Sequence, residues 1–239
     1  VVEKDVAFVI DTSGSMAGNK LEQAKKAFQF CVANLNDGDR FEVIRFSTES
    51  EALFNGLKKA TSKNRKTATN FIKDLKPIGG TAINDALAEA LALEPDSDRP
   101  FVVIFLTDGR PTIGVTGESE IVKNVGKAAG KTRVFSFGIG TDVNAHLLDK
   151  ITEKTRASSQ YVTPNEDIEV KVSSFYTKIK EPVLANPKLK FPDGIRVSKL
   201  YPNPLPDLFK GEEIVLVGRY DKAGKGDVLL EGTVNGKQA

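Results

Sequence analysis

The tract Asp11-Thr12-Ser13-Gly14-Ser15 packs a carboxylate and the hydroxyls of two serines into one turn, directly after the apolar run Val6-Ala7-Phe8-Val9-Ile10. Two further tracts follow the same grammar. Phe101-Val102-Val103-Ile104-Phe105-Leu106-Thr107 runs into Asp108-Gly109, and Gly79-Gly80-Thr81 opens a stretch with helical apolar spacing. Carboxylate, hydroxyl and water oxygens are hard donors, which suit Mg2+, Mn2+ or Ca2+ better than softer metals. The chain holds one His and one Cys, so a zinc site of the usual nitrogen and sulfur type is excluded. Two carboxylates bound directly would cancel the charge of a divalent ion. If Asp11 and Asp108 act through water while Ser13, Ser15 and Thr81 bind directly, the ion keeps charge enough to attract one more anionic oxygen from outside. Mg2+ retains several waters in near-octahedral geometry, so an open position is natural.

For these residues to meet, the chain must bring three loops together. Short β-branched and aromatic runs alternate with amphipathic stretches, the pattern of strand–helix–strand units on a mostly parallel, doubly wound α/β sheet flanked by helices. Helical spacing predicts helices over 20–35, where Leu21, Ala24, Phe28, Cys31, Val32 and Leu35 form the apolar stripe, and over 66–75, 83–93, 118–129, 144–155 and 167–179. Strands are expected at 5–10, 40–47, 51–54, 101–107, 133–139 and 159–163. Ligands on such sheets sit beyond the carboxyl ends of the strands, where the winding reverses. With the strands from Val6 and Phe101 as neighbours there, Asp11 and Asp108 come face to face.

The pattern Asp11-x-Ser13-x-Ser15, with Thr81 in Gly-Gly-Thr and Asp108 in Thr-Asp-Gly, resembles the metal-ion-dependent adhesion site of von Willebrand factor type A domains, a Rossmann-like fold. The resemblance covers about residues 1–180. It implies that the two serines and the threonine hold the metal directly or through water, that the two aspartates act largely through water, and that a partner's Asp or Glu carboxylate completes the shell. Lys20-Leu21-Glu22-Gln23-Ala24-Lys25, Asp39-Arg40-Phe41, residues 79–87, Gly138 to Asn144 and the tail 205–220 are similar to the subgroup typified by inter-alpha-trypsin inhibitor heavy chains and their bacterial relatives. Ala82 departs from that subgroup, which often carries a polar residue after the threonine.

Size allows one or two domains. A first domain over 1–180 is expected, followed by a small antiparallel β region over 181–239, where prolines become frequent and alternating runs fall at 188–191, 195–200, 213–220 and 228–234. About four strands make an incomplete sheet, so preceding chain is expected to complete it. The start at Val1 rather than Met reads as a piece of a longer protein, so the lack of a visible signal peptide carries little weight. No apolar run is long enough to span a bilayer. The formal charge of +2 comes from interspersed residues and points to no nucleic-acid partner. Lys58-Lys59 and residues 63–66 read as a solvated loop and helix start rather than an anion patch.

Each singled-out residue also has a plainer use. Ser13 and Ser15 could cap a helix beginning near Ala17, and Asp11 could be turn chemistry. Cys31 reads as packed, Phe135 and Phe137 as core, His146 as a surface or capping residue, and Pro111 as part of a turn. The joint match of five oxygens favours metal binding over these separate uses.

An Asp at a strand end beside Mg2+ could also be a phosphoryl-transfer nucleophile. Against this, Ser13 stands where phosphatases of that kind place a second Asp, and the tract lacks the Gly-Lys-Ser/Thr end of a phosphate-cradling loop. A Ser-His-Asp hydrolase would need His146 to reach Ser13 or Ser15 from a distant segment. The expected function is a non-enzymatic, Mg2+-dependent protein-binding module in an extracellular or cell-envelope setting. Its alternatives are an intracellular assembly scaffold of the same fold and, behind that, a Mg2+-dependent phosphoryl hydrolase.

Overall fold

Strands covered on both faces show near-continuous apolar runs instead of alternation, and the runs at 5–11, 101–107 and 133–139 are buried along their whole length. The computed structural model of the protein describes residues 3–93, 99–179, 182–192, 194–209, 213–234 and 237–238. The chain divides into two compact units, Glu3–Tyr176 and Thr177–Ala239. The expected boundary at residues 180 and 181 lies outside the described residues.

In chain order the first unit holds β1 (Asp5–Asp11), α1 (Asn19–Ala33), β2 (Arg40–Phe46), β3 (Ser50–Ala52), β4 (Lys58–Lys59), α2 (Ser62–Asp74), α3 (Ile83–Ala92) and β5 (Phe101–Thr107). It continues with α4 (Glu118–Ala128), β6 (Arg133–Ile139), α5 (Ala145–Lys154), β7 (Ser159–Val162) and most of α6 (Ile168–Ile179). The sheet order is β3-β2-β1-β5-β6-β7, with β4 also on β2. The pairs β1–β2, β1–β5, β5–β6 and β6–β7 are parallel, whereas β3 and β4 join antiparallel. The chain winds outward from β1 to β2 and returns to β5 on the other side. The reversal point therefore lies between β1 and β5, the strands that end at Asp11 and Thr107.

Side-chain alternation along β1 sends Phe8 to one face and Ala7 and Val9 to the other. Phe8 packs against Phe28 of α1 and Tyr176 of α6, with ring centroids 5.5 and 6.2 Å apart. On the opposite face Ala7 and Val9 join Ile83 and Leu87 of α3, with Phe46 stacked on Phe105 at 5.3 Å. Cys31 is buried, and Phe135 and Phe137 both pack on Phe175 of α6.

Several boundaries depart from expectation. The helix expected from 66 begins at Ser62, because the Thr61 side chain accepts a hydrogen bond from the Asn64 N–H and caps a first turn that carries no apolar residue. Lys58 and Lys59, read as loop, pair with Phe41 and Arg40 while their side chains stay exposed.

The second unit carries small antiparallel sheets. β8 (Pro182–Lys190), β9 (Val197–Tyr201), β10 (Leu208–Phe209), β11 (Val217–Tyr220), β12 (Leu229–Val234) and β13 (Lys237–Gln238) form the sheets β10-β8-β12-β13 and β11-β9. β8 starts earlier than the expected 188, because Leu184 and Ala185 already pair with β10 and β12. Of the run expected at 213–220 only Val217–Tyr220 is strand. Val217 faces Tyr201, the next residue on that partner is Pro202, and proline has no N–H to extend the ladder. Residues 210–212 of the quoted tail lie outside the described residues.

Phe8 fills the space between the sheet and two helices, so Phe8→Ala should lower the stability of the protein by about 3–5 kcal/mol in urea unfolding. A loss below about 1 kcal/mol would contradict this packing role.

Candidate metal centre

Parallel pairing of β1 with β5, in register from Asp5 opposite Phe101 to Ile10 opposite Leu106, brings Asp11 level with Thr107. Asp11 Oδ2 accepts the Thr107 hydroxyl at 2.5 Å, and its Oδ1 accepts the Ser13 N–H at 2.7 Å. The chain then turns through a short 3-10 helix at Gly14–Met16. Ser13 Oγ lies 3.1 Å from Ser15 Oγ, and Ser15 Oγ donates to Asp108 Oδ1 at 2.7 Å. Four of the five sequence-predicted residues are thus linked by hydrogen bonds across the strand ends, Asp11 joining through the Ser13 N–H and the others through side-chain oxygens.

Thr81, the fifth, arrives from the loop before α3. That loop is tied to the Asp11 turn by Ile78 N–H to Thr12 O at 2.8 Å and Gly14 N–H to Gly79 O at 3.0 Å. Thr81 N–H donates to Thr112 Oγ1, and Thr112 N–H returns to Thr81 O, both at 2.9 Å. A Cβ added at Gly109 would stand 3.5 Å from Thr81 Oγ1 and 3.9 Å from Ser15 Oγ. The threonine hydroxyl therefore borders the same pit, and Gly109 leaves it room.

The capping alternative does not hold. No side chain caps α1, whose N-cap is Gly18, and Ser13 makes no capping bond to the 3-10 turn. Both hydroxyls face the carboxylates instead. Capping of α5 falls to Asn144, which accepts the Leu147 N–H, whereas exposed His146 sits 2.6 Å from Glu118 Oε2 and far in sequence from the serines.

Asp11, Ser13, Thr81 and Asp108 are buried, and Ser15 is exposed at the mouth. Burial pushes the Asp11 carboxyl up to about 6, against the hydrogen bonds from Thr107 and Ser13 that pull it down, and the charge of Asp108 adds to the rise. The pit calls for positive charge. One source is Lys20, whose Nζ lies 2.6 Å from Asp108 Oδ2 and 3.4 Å from Ser15 O.

Lys20 and Thr107 were not singled out in the sequence. A lysine opening a helix reads as a solvated residue, and the Thr107 hydroxyl reaches Asp11 only because of the strand register. Among the described residues no group of three or more His, Cys, Asp or Glu is disposed to hold a metal. Any shell here draws on hydroxyls as well as carboxylates. The donor set is all hard oxygen, and with one lysine against two aspartates it fits a divalent cation.

A family model described as von Willebrand factor type A domain matches residues 4–160. The human inter-alpha-trypsin inhibitor heavy chain H4 is 32% identical over 98% of this chain, which spans about a quarter of that relative's length, 26%. Heavy chain H2 of Mesocricetus auratus is likewise 32% identical, over 95% of this chain and 25% of its own length. Among solved structures, a von Willebrand factor type A protein from Catenulispora acidiphila superposes with a TM-score of 0.77 at 21% identity, covering 100% of this chain and 64% of that one. Proximal thread matrix protein 1 from the mussel byssus, with a zinc-occupied MIDAS motif, superposes with a TM-score of 0.59 at 26% identity over 73% of this chain and 45% of that one. Among the described residues no helix is long and apolar enough to cross a membrane.

The raised Asp11 carboxyl has a signed consequence. Its folded value of about 6 lies above the ordinary 3.8, so the stability it contributes is full below pH 3.8 and is lost as pH rises through 6. In chelator, the stability of the wild type relative to Asp11→Asn should therefore fall by up to about 3 kcal/mol between pH 3.5 and pH 7. Urea unfolding across that range checks it, and parallel profiles for the two proteins would contradict it.

Proposed function

The chain belongs to the von Willebrand factor type A family, and we propose that it is a non-enzymatic protein-binding module that presents a divalent cation, Mg2+ in the first instance, to a partner's Asp or Glu carboxylate. The observation that carries this reading is the hydroxyl pair Ser13 and Ser15, spent on no helix cap and chained to Asp108 beside Asp11. In this reading Ser13, Ser15 and Thr81 hold the cation directly, and Asp11 and Asp108 hold its waters. The bound cation supplies unquenched positive charge at an open position.

The chain's own groups do the rest. Thr107 and the Ser13 N–H hold the Asp11 carboxylate in place, where it would bind the cation through water. Thr112 fixes the backbone that carries Thr81. Two enzymatic arrangements find little support: His146 is paired with Glu118 rather than with Ser13 or Ser15, and Asp11 is buried with both oxygens engaged. Kinship with inhibitor heavy chains supports a binding role in an extracellular or cell-envelope setting. The zinc reported in the mussel protein's site makes the choice among Mg2+, Mn2+, Ca2+ and Zn2+ a matter for titration.

Mg2+ at about a hundred times its Kd should add roughly 2.7 kcal/mol of stability, because a ligand bound only by the folded state contributes RT ln(1 + [L]/Kd). The double variant Ser13→Ala, Ser15→Ala should lose most of that response in thermal unfolding while remaining folded. A full response in the double variant would place the metal elsewhere. Capture of a carboxylate-bearing partner should likewise vanish in excess chelator and weaken in Thr81→Ala, whereas undiminished capture in chelator would remove the metal from the recognition step.

A further inference from the structure

Lys20 stands at the start of α1, and its ammonium reaches back over three loops. It lies 2.6 Å from Asp108 Oδ2 after β5, 3.4 Å from Ser15 O after β1, and 3.8 Å from where a Cβ at Gly140 would stand after β6. Its side chain is 42% exposed while that of Asp108 is fully buried. The other Asp108 oxygen accepts the Ser15 hydroxyl. Both oxygens of the second carboxylate are therefore engaged, one by a hydroxyl and one by a full positive charge.

We infer that Lys20 is the resident counter-cation of the site: it competes with a divalent ion for Asp108, and so lowers metal affinity while stabilising the protein without metal. The inference rests on the metal-binding reading above and concerns what sets the strength of that binding. A buried carboxylate needs a partner, since an unpaired charge away from water is costly. With the ammonium on Asp108, the pit is stabilised before any metal arrives. A divalent ion entering beside Ser15 then meets a positive charge a few ångströms away and a carboxylate already half neutralised. The lysine stem is long and partly in solvent, so the ammonium can withdraw at modest cost and return when the metal leaves. Arg110, the nearby cation on the β5 loop, is bonded through Nε to Asp142 O instead.

The test uses the full chain with Mg2+ alone, by calorimetric titration and by thermal unfolding in chelator and in saturating Mg2+, for the wild type, Lys20→Gln and Lys20→Arg. Lys20→Gln should bind Mg2+ about tenfold tighter or more, the order expected when a unit charge close to a divalent ion is removed. It should melt below the wild type in chelator and close that gap in saturating Mg2+. Lys20→Arg keeps the charge and should stay near the wild type in both readouts. Wild-type Mg2+ binding with equal or weaker affinity in Lys20→Gln would overturn this inference alone, as would a melting deficit that Mg2+ leaves unchanged. No Mg2+ response in either protein would overturn the metal-binding reading and this inference with it.

Discussion

Two carboxylates held side by side at the ends of adjacent parallel strands are the constraint on which the rest of the site depends. β1 and β5 pair at the point where the winding reverses, so the loops that follow them leave in different directions and open a pit between them. Asp11 and Asp108 stand on that pit with almost no exposure. Burial, with the charge of Asp108 beside it, raises the cost of ionising Asp11. The protein answers with donors: the Thr107 hydroxyl and Ser13 N–H on Asp11, and the Ser15 hydroxyl and Lys20 ammonium on Asp108. In the proposed function, a divalent cation would answer the same demand from outside.

That demand explains why the surrounding fold is stiff where it is. The three loops at the pit are stitched to each other by backbone hydrogen bonds, from Gly14 to Gly79, Ile78 to Thr12 and Thr112 to Thr81. The strands beneath them are fully buried, and Phe8 ties β1 to α1 and α6 on one face while Phe46 and Phe105 stack on the other. In the proposed function, oxygen ligands on such short side chains would tolerate little displacement, because Mg2+ demands near-ideal geometry. A rigid platform with one long lysine over it separates the fixed part of the site from the part that can move.

Much of this was legible in the sequence, for reasons that can be named. Unbroken apolar runs mark β1 and β5 because both sheet faces are covered, and the stripe of Leu21, Ala24, Phe28 and Cys31 marks α1 because one face is. The five site residues were visible because they fall in three tracts, each of which follows a strand or opens a helix. Contacts set by register were not visible. Thr107 reads as the last residue of a strand until its partner is known, and Lys20 reads as a solvated helix residue until three loops converge on it. Two-residue strands such as β4 and β10 carry no periodicity at all, and the start of β11 depended on Pro202, the residue just after the strand opposite.

The central claim is that the hydroxyls of Ser13 and Ser15 hold a divalent cation between Asp11 and Asp108. Anomalous diffraction from crystals of the full chain grown with Mn2+ tests it most directly. The account predicts a single strong peak at hard-cation distance, about 2.0–2.6 Å, from both serine oxygens, with the two aspartates further out. A Mn2+ peak on other carboxylates, with none over the serines, would contradict it.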